Sequence, residues 1–223
     1  MIWDQEKYVK AWNFASVAHQ GQLVPGTKNP YINHIGLVVM EALATVSNSE
    51  NIDNPNLLIQ CALLHDTIED TDLEYDDIEY EFGREIADGV LALTKNKKLK
   101  TKVEKMTDSL SRIKQQPEEV WMVKLCDRIT NLQPPPVHWG KDKIEAYYYE
   151  SISILNSLGV ASDFLQARLK EKSTQAAAVG ALAWGGALLG LELTVEQELQ
   201  LATVVAFVFG LIVTVLKEKD SED

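Results

Sequence analysis

Apolar residues recur along most of this chain three and four positions apart, the spacing of one buried helical face. Trp12, Ala15, Val17 and Ala18 form the first such stripe, which ends near His19. GQLVPGTKNP follows as a loop punctuated by Gly and Pro. HIGLVVMEALATV is amphipathic, and NSENIDNP is a polar connector with helix-start chemistry. NLLIQCALLHDTIED reads as one helix, and LEYDDIEYEFGREIADGVLALT as two short ones broken at Phe82-Gly83. A lysine-rich segment from Lys95 to Lys105 leads into a helix through Met106 to Ile113. Pro117 opens EEVWMVKLCDRITNL, and Pro134 to Pro136 stop it, because proline supplies no amide donor and clashes with the preceding turn. Helices over Lys141 to Leu158 and Ala161 to Lys172 complete the set. No stretch alternates as a strand and no segment repeats, so the expected fold class is all-α, a helical bundle.

The pattern changes after Lys172. Residues 173–191 carry no charge and are mostly Ala, Gly and Leu; residues 199–216 carry none and are dense in Val, Phe and Leu. Each span is close to the ~20 residues that cross a hydrocarbon core of about 30 Å. Arg168, Lys170 and Lys172 precede the first, Lys217 and Lys219 follow the second, and LTVEQE joins them. By the charge bias of membrane loops, both ends are then cytoplasmic. The expected organisation is residues 1–172 as one catalytic domain, 173–216 as a two-helix, transmembrane hairpin, and 217–223 as a polar acidic tail. A hairpin buried in a soluble, cytoplasmic homo-oligomer is the alternative.

Charge removes one class of partner. The formal net charge is −12, which argues against nonspecific nucleic-acid binding, since that needs a basic face. Cys61 and Cys126 lie in apolar runs without metal-type spacing, and read as packed free thiols in a reducing compartment. The N-terminus has neither the basic region nor the apolar stretch of a signal peptide.

One stretch, ALLHDTIEDT (62–71), carries the chemistry. If residues 57 to 70 form a helix, His65 and Glu69 stack four apart, as do Asp66 and Asp70. An imidazole and three carboxylates beside an apolar run are costly to desolvate without a compensating cation. His34 after PYIN, and Asp127 after an apolar run in VKLCDRITNL, are further candidate ligands. A set of two imidazoles and two carboxylates suits manganese, iron or zinc better than calcium. On spacing alone, His34 as a packed histidine and Asp127 as a structural ion pair with Arg128 stay open.

AHQGQ (18–22), PYINH (30–34), ALLHDTIEDT (62–71), FGREIADGVLALTK (82–95) and VKLCDRITNL (123–132) together resemble the HD-type hydrolase domain of RelA/SpoT homologues, above all the small stand-alone alarmone hydrolases. The resemblance spans about residues 5 to 170. It implies an HD-domain helical bundle with His34, His65, Asp66 and Asp127 as ligands, usually of Mn2+. It also implies Glu69 and Asp70 as the pair that handles the attacking water. The activity it implies is removal of the 3′-pyrophosphate from guanosine tetra- or pentaphosphate. Asn131, Lys143 and Tyr147 fall at nucleotide-contacting positions, and Tyr31 and Lys28 join them as candidate substrate contacts.

The chain departs from that pattern after Gly21-Gln22. Val24 and Pro25 stand where the family has a basic pair, with Lys28 the nearest substitute, and Thr130 replaces the usual residue before Asn131-Leu132. Two alternatives follow: a nucleotide-binding sensor that signals through the hairpin with little turnover, or a phosphohydrolase for another nucleotide. Among the remaining residues, His19 reads as loop-fixing and His138 as a surface residue. The lysines from Lys95 to Lys105 read as a solvated face or as a rim that attracts polyphosphate. Arg112 and Lys124 have no role legible in the sequence.

Overall fold

A computed structural model describes residues 3–50, 52–132 and 141–173. The regular elements among them are helices, in the order α1 (Gln5–Ala18), α2 (Ile32–Asn48), α3 (Pro55–Leu64), α4 (Thr67–Asp70), α5 (Tyr75–Phe82), α6 (Arg84–Leu93), α7 (Lys102–Ile113), α8 (Glu118–Asn131) and α9 (Lys141–Leu158). A single 3-10 turn, Gly159–Ala161, follows, and residues 163–173 are again helical. The only extended pairing among the described residues is an isolated bridge between Leu23 and Pro30. The chain divides into two units, the first taking residues up to Asn131 and Ile154–Leu169. The second takes Leu132–Ser153 and the chain from Lys170 onward.

The first unit is built around α3. Leu57, Leu58, Ile59, Cys61, Ala62, Leu63 and Leu64 are each at most 1% exposed, so this helix is apolar on every side and needs neighbours all round. α1, α2, α6 and α8 supply them. Asn54 caps α3 by accepting from the Leu57 amide at 3.1 Å, and Pro55 occupies the first turn, where its missing N–H costs nothing. Ala11 and Ala15 are fully buried on α1, and such small side chains let that helix approach closely. Gly89 of α6 allows the tightest crossing: a Cβ there would lie 2.8 Å from Cys61 Sγ and 3.1 Å from Val120 Cγ2. Gly89→Ala should therefore destabilise the fold by about 1–3 kcal/mol. A denaturant titration reads this as a lower midpoint at unchanged slope.

The last helix of the unit is tied back to the second. Arg168 donates to Glu41 through Nη2 at 2.7 Å and Nε at 3.2 Å, a bidentate pair across the sequence onto a carboxylate that is 4% exposed. Glu41 sits on α2, two turns beyond His34, so this pair braces the helix that carries a candidate ligand.

Several boundaries differ from the sequence reading. The expected helix over residues 57–70 is broken: α3 stops at Leu64 and a single turn, α4, resumes at Thr67. Side chains compete there for the helix carbonyls, Thr67 Oγ1 donating to Leu64 O at 2.7 Å and His65 Nδ1 lying 2.9 Å from Ala62 O. α7 begins at Lys102, inside the lysine-rich segment, because Thr101 and Glu104 form a reciprocal capping box. The final helix begins after Ser162, whose hydroxyl accepts from the Leu165 amide at 3.3 Å, and not at Ala161. The break at Phe82-Gly83 is present, with Gly83 at φ +86°, a conformation that L side chains rarely adopt.

No helix among the described residues is long and apolar enough to cross a membrane. The hairpin expected over 173–216 lies, from residue 174 on, outside the described residues, as do the tail 217–223, Pro134 to Pro136, His138 and Trp139. α9 has the bounds read from sequence; within its second-unit part, Ser151 Oγ donates to Tyr147 O at 2.8 Å.

Candidate metal centre

Three separate chain segments converge on one point. His34 comes from the first turn of α2, entered through the Pro30-Tyr31 turn, where the His34 amide donates to Tyr31 O at 2.9 Å. His65 and Asp66 occupy the break between α3 and α4, and Asp127 lies on α8. The break matters chemically: it frees His65 and Asp66 from one continuous helical register, so both side chains reach the same place.

His34 Nε2 is 3.7 Å from Asp66 Oδ2 and 3.6 Å from Asp127 Oδ1; His65 Nε2 is 2.9 Å from Asp66 Oδ2 and 3.9 Å from Asp127 Oδ1. Ligand atoms of His34, His65 and Asp127 all fall within 4.8 Å of one another, a spread one ion can span. His65 supplies the fit test. Its Nδ1 donates to the Ala62 carbonyl, so whenever the imidazole is neutral the lone pair lies on Nε2. That Nε2 is buried and satisfies no hydrogen bond despite its short approach to Asp66. Two imidazoles and two carboxylates in this arrangement fit a divalent transition metal.

Without a metal, the cluster holds its charge by mutual compensation. Burial works against a charged His65, but Asp66 and then Asp127 outweigh it and raise its pKa to about 9. Burial likewise opposes the ionised Asp127, yet Lys124 and the two histidines hold its carboxyl well below the ordinary range. Asp66 is held down against its own burial by His65 and by the Tyr31 hydroxyl.

The surrounding contacts orient these ligands. Tyr31 Oη donates to Asp66 Oδ2 at 2.6 Å and reaches Asp70 Oδ2 at 3.4 Å. Burial and these carboxylates push the Tyr31 hydroxyl far above its usual range, so it stays a donor. Tyr31, a candidate substrate contact, is 7% exposed, and its hydroxyl is bonded to the Asp66 carboxylate. Tyr31→Phe should weaken metal binding by about 10- to 100-fold with the fold intact, a loss that a metal-competition titration would read. Lys124 Nζ meets Asp127 Oδ2 at 3.0 Å, and Asn131 Nδ2 donates to Asp127 Oδ1. Lys124 had no role in the sequence reading; its spacing three before Asp127, in an otherwise apolar run, was the available signal. His19 fixes the loop, its Nδ1 lying 2.6 Å from Gln22 Oε1, and its ring centroid lies 4.9 Å from that of Tyr31 at a tilt of 33°.

The two water-handling candidates lie in α4. Asp70 is exposed; its pKa is raised by partial burial and then by Asp66 and Glu69. Glu69 is engaged by Lys95, through the ammonium at 2.8 Å and the backbone amide at 2.9 Å. Arg112, also unassigned from sequence, donates to Leu91 O, Ala92 O and Thr94 O and so satisfies the last carbonyls of α6. Lys28 is exposed in the loop that precedes α2. Lys143 and Tyr147 lie on α9 in the second unit, Lys143 exposed and Tyr147 half-buried.

An all-helical scaffold that brings two histidines and an aspartate within reach of one ion is that of a metal-dependent hydrolase. A family model described as HD domain matches residues 11–161, and the chain belongs to that family. The guanosine-3′,5′-bis(diphosphate) 3′-pyrophosphohydrolase MESH1 of Xenopus tropicalis is 28% identical over 172 residues, covering 74% of this chain and 92% of the relative. The human MESH1 is 29% identical over 168 residues, covering 73% and 90%. The guanosine-3′,5′-bis(diphosphate) 3′-pyrophosphohydrolase of Aquifex aeolicus is 35% identical over 130 residues, 57% of this chain but 18% of that one. A solved chain described as a metazoan orthologue of SpoT that hydrolyses ppGpp superposes with a TM-score of 0.66 at 22% identity, covering 77% of this chain and 96% of that chain. At that identity the likeness is one of fold.

Proposed function

We propose that this protein removes the 3′-pyrophosphate from guanosine tetra- or pentaphosphate, with Mn2+ as the native ion held by His34, His65, Asp66 and Asp127. The observation that carries the reading is the buried His65 Nε2, which has no hydrogen bond and lies within 4.8 Å of ligand atoms of His34 and Asp127, with Asp66 Oδ2 2.9 Å away. The similarity to two MESH1 hydrolases over nearly their whole length supplies the substrate class. A divalent ion held there lowers the pKa of water and polarises a phosphoryl oxygen. The chain's own residues do the rest. Tyr31 keeps Asp66 oriented, Lys124 and Asn131 keep Asp127 oriented, and Glu69 and Asp70 accept the proton released by attacking water. Water oxygen bonds to the 3′-linked phosphorus and gives its proton to Glu69 or Asp70. The P–O bond to the ribose breaks and the 3′-oxygen takes up a proton in turn. Pyrophosphate leaves the 5′-diphosphate (from the tetraphosphate) or 5′-triphosphate (from the pentaphosphate). Asn131, Lys143, Tyr147 and Lys28 are assigned to nucleotide contact in this reading.

The same proposal places the catalytic domain on the cytoplasmic side of the cell membrane, tethered by residues 173–216. Its support is the sequence alone: two uncharged spans flanked by Lys and Arg at their outer ends. If a chain lacking residues 173–223 still fractionates with membranes, the tether is refuted.

Incubating the full chain with manganese and a panel of nucleotides tests the activity. Stoichiometric pyrophosphate from guanosine tetraphosphate is expected. Tight binding with no product from any nucleotide on the panel would instead identify the sensor suggested by the Val24-Pro25 loop.

A further inference from the structure

Glu69 does not hang free beside the metal centre; it is clamped. Lys95 grips both of its carboxylate oxygens, the ammonium on Oε1 at 2.8 Å and the backbone N–H on Oε2 at 2.9 Å. Lys97 Nζ adds a bond to the Glu69 carbonyl at 2.7 Å. The peptide that provides the backbone donor is itself held from behind. Its carbonyl, Thr94 O, accepts from Arg112 Nη2 at 2.7 Å, and Arg112 is in turn fixed by Asp108 at 2.9 Å. A peptide bonded on both sides is polarised in the sense that strengthens its N–H as a donor. The amide half of the clamp is therefore rigid.

The ammonium half is not. The Lys95 side chain is 47% exposed, whereas the Glu69 carboxylate it covers is 16% exposed. Burial works against its charge, but Glu69 and then Asp127 and Asp66 hold the ammonium above the usual lysine range. The cation thus faces solvent on one side and the electrostatic field of two metal ligands on the other. Lys97, Lys98 and Lys100 are exposed just beyond it, a basic rim on a chain whose net charge is −12. A phosphate oxygen of a polyphosphate offers this cation the same charge-assisted bond that Glu69 does.

We propose that Lys95 is a shared cation: it holds Glu69 in the resting protein and passes to a substrate phosphate on binding, which releases Oε1 of Glu69 to face water. Oε2 stays on the rigid amide, so the freed carboxylate keeps its orientation. Lys95 is then a positioning residue that couples substrate arrival to exposure of the proton acceptor. The inference rests on the phosphohydrolase reading and adds how the site is kept closed until substrate is present.

The signature is a competition. While Glu69 and the phosphate compete for one ammonium, removing the carboxylate's charge should tighten the nucleotide, and only while Lys95 is there to be released. The probe is a guanosine tetraphosphate analogue with its 3′ bridging oxygen replaced by methylene, titrated calorimetrically into the manganese-loaded full chain. Glu69→Gln is expected to bind it about 3- to 10-fold more tightly than the parent, the scale of a partly buried ion pair. In a Lys95→Met background the same substitution should change affinity less than 2-fold, and in a Lys95→Arg background the gain should return. An equal gain with and without Lys95 would mean simple removal of a negative charge and overturns the proposal, as does no gain in either. Metal content and thermal midpoint of each variant separate these outcomes from misfolding. Because the probe reports binding alone, an absence of turnover on natural nucleotides would refute the hydrolase reading without deciding the cycle.

Discussion

Asp127→Asn should lower hydrolysis by at least ~1,000-fold and leave the purified protein without stoichiometric metal, while the helical content is unchanged. A thousandfold corresponds to about 4 kcal/mol at the barrier, which loss of the ion's charge stabilisation readily supplies. Asparagine keeps the shape of the side chain and an oxygen for Lys124, which is 6% exposed and would otherwise be a buried cation with no acceptor at that point. The result then reports on the metal rather than on the fold. Elemental analysis beside the rate is the measurement, and a variant that keeps a full metal complement would sink the ligand assignment. A second readout comes from His65. In the metal-free protein its pKa is raised to about 9, so the imidazole is protonated at neutral pH and metal uptake must release that proton. Affinity should therefore rise with pH until about 9, and calorimetry in buffers of different ionisation heat should count close to one proton at pH 7. The linkage has the opposite sign for the stripped protein. A histidine whose pKa is raised by folding stabilises below its unfolded value of roughly 6.5, and that contribution disappears as the pH climbs through 9. The chelated chain should lose stability on the alkaline side while the loaded one gains metal affinity there.

How much of this was legible beforehand depended on whether a residue's partner was close in sequence. Helix existence followed from periodicity, because burying one face is a local requirement: the span of α9 and the α5–α6 break at Gly83 were both readable. The α3–α4 break was not. The string HDTIED has no glycine or proline to announce an interruption. What stops the helix is a pair of side-chain to carbonyl bonds, from Thr67 and His65, whose competition with the helical ladder periodicity does not register. The four proposed ligands were identifiable as residues out of place in apolar surroundings, but their convergence needed the resemblance. The residues that orient them were harder still. Tyr31 contacts Asp66 across 35 positions and Lys95 contacts Glu69 across 26, separations that no local pattern encodes. Arg112 was opaque for the same reason, since its acceptors are carbonyls at the end of another helix.

Glu69→Gln should lower kcat by about 10²- to 10⁴-fold, the usual contribution of a positioned general base, with metal content at the parent level. This combination separates water handling from ligation. The four proposed ligands lie on α2, on α8 and at the α3–α4 break, whereas Glu69 lies inside α4 with its carboxylate on Lys95. The isosteric amide keeps an oxygen for the Lys95 N–H but removes the negative charge and with it the capacity to take a proton. Asp70→Asn is the companion measurement. The Asp70 carboxyl is pushed above the usual aspartate range by its partial burial and then by Asp66 and Glu69, and Tyr31 contributes a donor to it. A group raised in this way is still protonated where an ordinary aspartate has ionised. If its carboxylate form is required, the acid limb of kcat against pH should lie above the usual aspartate value and should vanish in Asp70→Asn. Should Glu69→Gln retain full kcat while Asp70→Asn loses it together with that limb, the proton acceptor is Asp70. The clamp on Glu69 would then serve only to hold the end of α6 against α4.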